Sequence, residues 1–346
     1  MSASRTSRVT PEPGHAVGAM KAPSPVLVAL EFSEQGDEAL RQGAANALAL
    51  AAPLVACHVL PESFRVRVLF PQDAGVDASL QEALALKARD LVRARVAALL
   101  PPTTAVTIEI DSGSPHSGIL ETAARVGAGL IVIGPGRAAQ RVAQASSCPV
   151  LVARPSPRAG VVIGATDFSD AALPALHAAA DAARWMGGGL RMIHCLDVDQ
   201  AAAIAAAGAA GGAGAIALPV LSEPVFAEIR ADAVAALARA QASLGTESEV
   251  AVLRRSPGRG IVEEAAATGA SLVVVGTRGR TGIKRLLMGS TAEYVMSAAP
   301  CSVLVVPLHH PEPPSAVAAP EQPAIVSDIP SAPASPTTPG DGRRSP

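Results

Sequence analysis

Leu272-Val273-Val274-Val275-Gly276-Thr277-Arg278-Gly279, nine residues from Arg280 to Met288, then Gly289-Ser290-Thr291: this stretch decides the fold. Its short apolar run reads as a buried strand that ends at Gly276. A helical stretch through Tyr294 follows Gly289, and Ser302–Val306 reads as a second buried strand. The loop is thus G-x2-G-x9-G-S, between the carboxyl end of a strand and the start of a helix. Glycines let a bulky anion approach the main chain. The helix start offers unpaired N–H groups and a partial positive charge. Ser290 and Thr291 add hydroxyls, and Arg278, Arg280, Lys284 and Arg285 add cations. Together these groups suit a polyphosphate. The spacing is neither that of a Walker loop nor that of the standard dinucleotide fingerprint. A plain surface loop, its glycines serving only turns, is the alternative that the agreement of spacing, strand and helix start outweighs.

Gly276-x2-Gly279-x9-Gly289-Ser290, with its helix and the strand Val303-Leu304-Val305-Val306, resembles the ATP-binding loop of the universal stress protein family.

Outward from that stretch, one pattern occurs twice. Val26–Ser33 lines up with Val162–Ser169 at an offset of 136, which also matches His58 with His194. Ser114-Pro115-His116-Ser117-Gly118-Ile119 lines up with Ser256-Pro257-Gly258-Arg259-Gly260-Ile261 at an offset of 142, as does Gly134 with Gly276. The first copy reads as strand Val26–Leu30, a helix from the cap Ser33 through Ala51, strand Leu54–Leu60 and helix Ser79–Leu100. Leu80, Leu84, Leu91 and Ala98 are expected along the packed face of that last helix. Strand Val106–Ile110, helix Gly118–Val126, strand Leu130–Ile133, a short helix after Gly136 and strand Val150–Ala153 complete it. The second copy adds strand Leu190–Leu196 and a helix near Pro224–Leu244. Alternating strands and helices predict an α/β fold: two tandem, doubly wound, five-stranded parallel-sheet domains. The domains span 25–154 and 160–307, with a low-complexity Ala/Gly insertion at about 200–219. Residues 1–24 and the Pro/Ala/Ser-rich 308–346 read as disordered.

The copies differ at the loop. Gly276 to Cys301 is 25 residues and Gly134 to Cys148 is 14, so the first copy lacks 11. Its remnant Gly134-Pro135-Gly136-Arg137-Ala138-Ala139 matches a dinucleotide motif by letter, but Arg154 stands where an acidic ribose ligand is wanted. A shortened turn without nucleotide is the expectation.

Composition narrows the classes. Of 346 residues 49% are apolar but only 2% aromatic, so cores must be built of Val, Leu, Ile and Ala. A net charge of −2 gives no case for a nucleic-acid surface. Cys57, Cys148, Cys195 and Cys301 show no C-x-x-C pair or zinc spacing, and read as buried free thiols of a reducing compartment. No signal-peptide pattern is present, and Ala201–Val220 is too poor in large side chains for a membrane span. A cytoplasmic protein is expected.

The resemblance implies ATP or ADP at the carboxyl edge of the second sheet, with Mg2+ bridging the phosphates. Carried over by position, Ala165, Thr166 and Asp167 lie at adenine and ribose, Cys195 lines the adenine pocket, and Gly276, Thr277, Arg278, Gly279, Gly289, Ser290 and Thr291 hold ribose and phosphates. Thr291 replaces the family's usual valine, and Glu31 replaces the aspartate in the first copy. Ser169 reads as a helix cap, and His58 and His194 as core histidines rather than metal ligands. The two domains are expected to pack as an internal pseudo-dimer through their last strands, with further pairing of whole chains left open. The function implied is a stress-response regulator binding one nucleotide and hydrolysing it slowly at most. Two alternatives remain: an ATPase or adenylylating enzyme dependent on Asp167, and an interaction module without nucleotide.

Overall fold

Runs of Val, Ile and Leu become the strands because both faces of each central strand are covered. The computed structural model describes residues 23–61, 74–157, 159–197, 223–277 and 288–308, with only the backbone of 74–79. They all belong to one unit, Met1–His310. The terminal arm and tail, the Ala/Gly insertion and most of the glycine loop lie outside the described residues.

The first half runs β1 (Val26–Ala29), α1 (Glu34–Ala49), β2 (Leu54–Pro61), α2 (Ala74–Leu99), β3 (Val106–Gly113), α3 (Pro115–Val126), β4 (Leu130–Ile133), α4 (Arg137–Ala145) and β5 (Val150–Val152). The second runs β6 (Val162–Ala165), a 3-10 turn (Asp170–Ala172), α5 (Leu173–Met186), β7 (Leu190–Cys195), α6 (Glu223–Leu244), β8 (Ser248–Leu253), α7 (Pro257–Thr268), β9 (Leu272–Gly276), α8 (Ser290–Ala298) and β10 (Ser302–Val306). Each half is a parallel, doubly wound sheet. The halves do not stay separate: β5 and β10 pair antiparallel, Leu151 opposite Leu304, giving one ten-stranded sheet ordered β3-β2-β1-β4-β5-β10-β9-β6-β7-β8.

Strand pleating sorts the core onto two faces. Leu27, Ile131, Val152, Ile163, Val273 and Val303 face α3, α4, α7 and α8. Val26, Val28, Val132, Leu151, Val162 and Val274 face α1, α2, α5 and α6. Small residues let these helices come close: a Cβ on Gly43 of α1 would run into Val28 Cγ2, and one on Gly164 would lie 3.0 Å from the Ala179 Cβ. Among the described residues no helix is long and apolar enough to cross a membrane.

Three local expectations are corrected. On α2 the stripe Leu80, Leu91 and Ala98 is exposed, while Ala88 and Val92 are buried against the sheet. The packed face lies about a quarter-turn away from the leucines, because close approach to β2 and β3 selects small side chains over large ones. Helix α3 starts at Pro115, earlier than Gly118, since proline suits the first turn. Ser33 caps α1, its Oγ 3.1 Å from the Gly36 N–H, but its counterpart Ser169 makes no cap bond.

Candidate functional site

In the second half the winding direction reverses between β6 and β9, which are neighbours in the sheet, while α5 and α8 leave on opposite faces. Ligands of open α/β sheets sit in the crevice outside such a switch point. The carboxyl ends of β6, β7 and β9 bring together Ala165, Thr166, Asp167, Cys195, Gly276 and Thr277 on one edge.

The turn after β6 is tightly self-bonded. Thr166 is buried; its N–H donates to the Ile193 carbonyl (3.0 Å), its Oγ1 accepts the Phe168 N–H (3.0 Å), and its carbonyl lies 2.8 Å from His194 Nδ1. A carbonyl can only accept, so Nδ1 carries that proton. Phe168 takes φ +62°, a left-handed conformation costly for a bulky residue, and its ring stacks on His194 at 4.3 Å. Asp167 Oδ1 accepts the Ser169 N–H (3.0 Å) and Oγ–H (2.6 Å). Ser169 therefore orients this carboxylate instead of capping a helix, and the hydrogen bonds of Thr166 shape the turn that presents it. His58 repeats the arrangement in the first half, its Nδ1 2.8 Å from the Leu30 carbonyl.

The glycine loop is described only at its neck. Thr277 donates its N–H to the Val306 carbonyl (3.0 Å) and accepts the Gly289 N–H (2.9 Å), so the two ends of the loop are bonded together. Met288 is buried in the core beneath them. Arg278, Gly279, Arg280, Lys284 and Arg285 lie outside the described residues. Gly289 precedes α8 and makes no side-chain cap bond, which leaves the first amides of α8 without an intrahelical acceptor. Ser290 is exposed and Thr291 half-buried at that end. Gly289 has φ −66°, open to any residue, and a Cβ there would meet only the Thr277 carbonyl oxygen, at 3.6 Å, among the described residues. The described backbone does not demand glycine at this position.

Cys195 Sγ lies 3.8 Å from the Pro257 carbonyl, and a Cβ on Gly260 would come within 2.9 Å of it. Burial, helped by the Glu264 and Asp197 charges, pushes the thiol up to about 12. The thiol is therefore protonated at neutral pH and half-buried at this edge.

The first half has a short turn at the corresponding place. Its chain passes from β4 through Gly134-Pro135-Gly136 straight into α4. A Cβ on Gly134 would lie 3.2–3.4 Å from Gln35 at the start of α1, so the turn packs directly on that helix. Gly136 has φ +153°, which only glycine adopts readily.

Sequence reasoning missed the strained Phe168 and its stacking on His194. The joint alignment of Phe32 with Phe168 and His58 with His194 is the signal that could have found it, since Phe32 and His58 also stack, at 4.7 Å. Met288 as anchor of the loop's neck had no signal beyond being apolar.

A model of the universal stress protein family matches residues 24–154 and 160–307. The chain is 32% identical over 141 residues to universal stress protein MJ0531 of Methanocaldococcus jannaschii, covering 41% of this chain and 78% of that protein. It is 40% identical over 65 residues to universal stress protein Slr1101 of Synechocystis sp., covering 19% of this chain and 60% of that one. The crystal structure of a universal stress protein from Archaeoglobus fulgidus covers 83% of this chain and 97% of its own, with TM-score 0.52 and 18% identity, a likeness of fold.

Proposed function

The chain belongs to the universal stress protein family, and we propose that it is a stress-response regulator binding one ATP or ADP in its second half. The observation that carries this reading is the neck: the Thr277–Gly289 bond holds the uncapped start of α8 beside the β6–β9 switch point. Amides there, with Ser290 and Thr291, would take the phosphates; Arg278 and Gly279, outside the described residues, belong to the same loop by sequence. Asp167, fixed by Ser169, would hold the ribose, and Ala165, Thr166 and Cys195 would border the adenine. Gly276 and Thr277 would floor the site. Mg2+, if bound with the nucleotide, would offset phosphate charge beside the Ser290 and Thr291 hydroxyls. Hydrogen bonds to charged groups contribute roughly 1.5–3 kcal/mol each, and micromolar affinity needs about 8 kcal/mol. Several loop amides and two hydroxyls reach that after ordering costs.

The first half lacks the long glycine loop and the Ser-Thr pair, and Glu31 stands in place of the aspartate; its short turn packs against Gln35. One chain then takes one nucleotide, and the β5–β10 seam makes the chain its own pseudo-dimer with a single occupied side. Asp167 Oδ1 accepts both Ser169 donors, which fixes the carboxylate for the positioning role this reading gives it. Calorimetric titration of the full chain with ATP tests the reading. Saturation at one equivalent supports it; no heat, or two equivalents, overturns it.

A further inference from the structure

At the seam between the halves, a cleft of about 270 Å³ lies between the start of α4 and the end of α8. Arg137 and Arg154 line it, and among the described residues no carboxylate does. Among the described residues three arginines are partly buried, and the other two are paired: Arg95 with Asp37, and Arg191 with Glu249 and Glu264. Arg154 is held in place without such a partner. Its Nη2 donates to the Met296 carbonyl at the end of α8, and its backbone carbonyl accepts from Gln42 Nε2 (2.8 Å) and Ser302 Oγ (3.0 Å). Its Nη1 is buried with no acceptor among the described residues. Burial pushes the guanidinium's pKa down, and no carboxylate offsets this. A buried donor left unpaired is expensive, so such a group marks a place for a missing acceptor. Arg137, exposed at the lip, likewise has no ion pair among the described residues. Uncapped amides of the first turn of α4 and the Gln140 side chain complete a wall rich in donors.

We propose that this cleft binds a phosphate-class oxyanion, either inorganic phosphate or the phosphoryl end of a small phosphomonoester. Its volume falls below the roughly 300–1,000 Å³ typical of drug-sized ligands, so it takes the anion and not a whole nucleotide. It is distinct from the loop site. That site lies at the start of α8, this one at its end, and a helix of 9 residues separates them by roughly 13 Å.

The test is calorimetric titration of the full-length protein with inorganic phosphate. Three variants are compared: Arg137→Glu, exposed and so neutral to folding, Arg154→Met, and Gly289→Val, which perturbs only the loop. Saturable binding that weakens about tenfold or more in Arg137→Glu, and persists in Gly289→Val, is expected. Binding lost in Gly289→Val but unchanged in Arg137→Glu would place the anion in the nucleotide loop and overturn the proposal. So would the lack of saturable binding at millimolar phosphate. Should Arg154→Met misfold, as a melting curve would show, Arg137→Glu still decides. Glycerol phosphate in place of inorganic phosphate separates the two sources: tighter binding identifies a phosphomonoester, weaker binding the free ion. Because Gly289→Val removes the nucleotide and spares the cleft, failure of one site is distinguishable from failure of the other.

Discussion

Gly289→Val separates ligand from fold more cleanly than any other substitution. At φ −66° and ψ 141° the backbone already suits a β-branched residue. The new Cβ would touch only the Thr277 oxygen, at 3.6 Å, among the described residues. Its cost to stability should therefore stay within about 0.5 kcal/mol, as for substitutions away from special features. Binding is a different matter, because the added isopropyl group sits immediately before the α8 amides that the proposal gives to the phosphates. Loss of a single charge-assisted amide bond, roughly 1.5–3 kcal/mol, weakens affinity about 10- to 150-fold, and loss of two abolishes measurable binding. The assay is calorimetric titration with ATP beside a thermal melt of the same preparation. Unchanged affinity with an unchanged melt refutes the site. A melt lowered by much more than about 2–4 °C, the shift expected for 1 kcal/mol in a unit of this size, shows instead that the fold required this glycine.

Three further outcomes are expected. Asp167→Asn keeps an Oδ1 acceptor for Ser169 and removes the charge, so it should lower ATP affinity about tenfold with little change in stability. Asp167→Ala strands both Ser169 donors and should cost about 1–2 kcal/mol in denaturant unfolding. Burial pushes the thiols of Cys57 and Cys301 up to about 11 and that of Cys195 up to about 12, from an ordinary 9.0. The folded chain holds these protons more tightly than the unfolded one. Their stabilisation is full below pH 9 and is lost as pH climbs through 11 to 12, and alkylation of Cys195 at pH 8 should run about 1,000-fold slower than for a free thiol. Gly43→Ala drives a methyl into Val28 and should cost about 1–3 kcal/mol by overpacking; Val28→Ala in the same chain should recover part of that, a coupling read from a double-mutant cycle.

The strands were legible because parallel sheets covered on both faces need unbroken Val, Ile and Leu runs, as at Leu130–Ile133 and Leu272–Val275. Repeat and loop spacing were legible for the same reason, being properties of the chain alone. The packed face of α2 was not. Ala88 and Val92 won it from Leu80 and Leu91, and only the closeness of helix to sheet, a tertiary quantity, decides between small and large side chains. At the candidate site the chain told which residues share an edge but not what each does there. Thr166 stands at the site by position, while its bonds reach Ile193 and His194 of the neighbouring strand, 27–28 residues away along the chain, and gave no local signal. Ser169 looked like a cap and proved a partner of Asp167, as Ser33 is of Glu31 while also capping α1. By sequence, Arg154 stands only where an acidic ribose ligand is wanted. Its contact with Met296 crosses between halves 142 residues apart, a distance no local pattern spans.

Native mass spectrometry of the full chain, purified without added nucleotide and then titrated with ATP, bears most directly on whether the second half alone holds an adenylate. One adenine nucleotide per chain at saturation, lost in Gly289→Val, is the predicted result. Two per chain, or none at any ATP concentration, would contradict it.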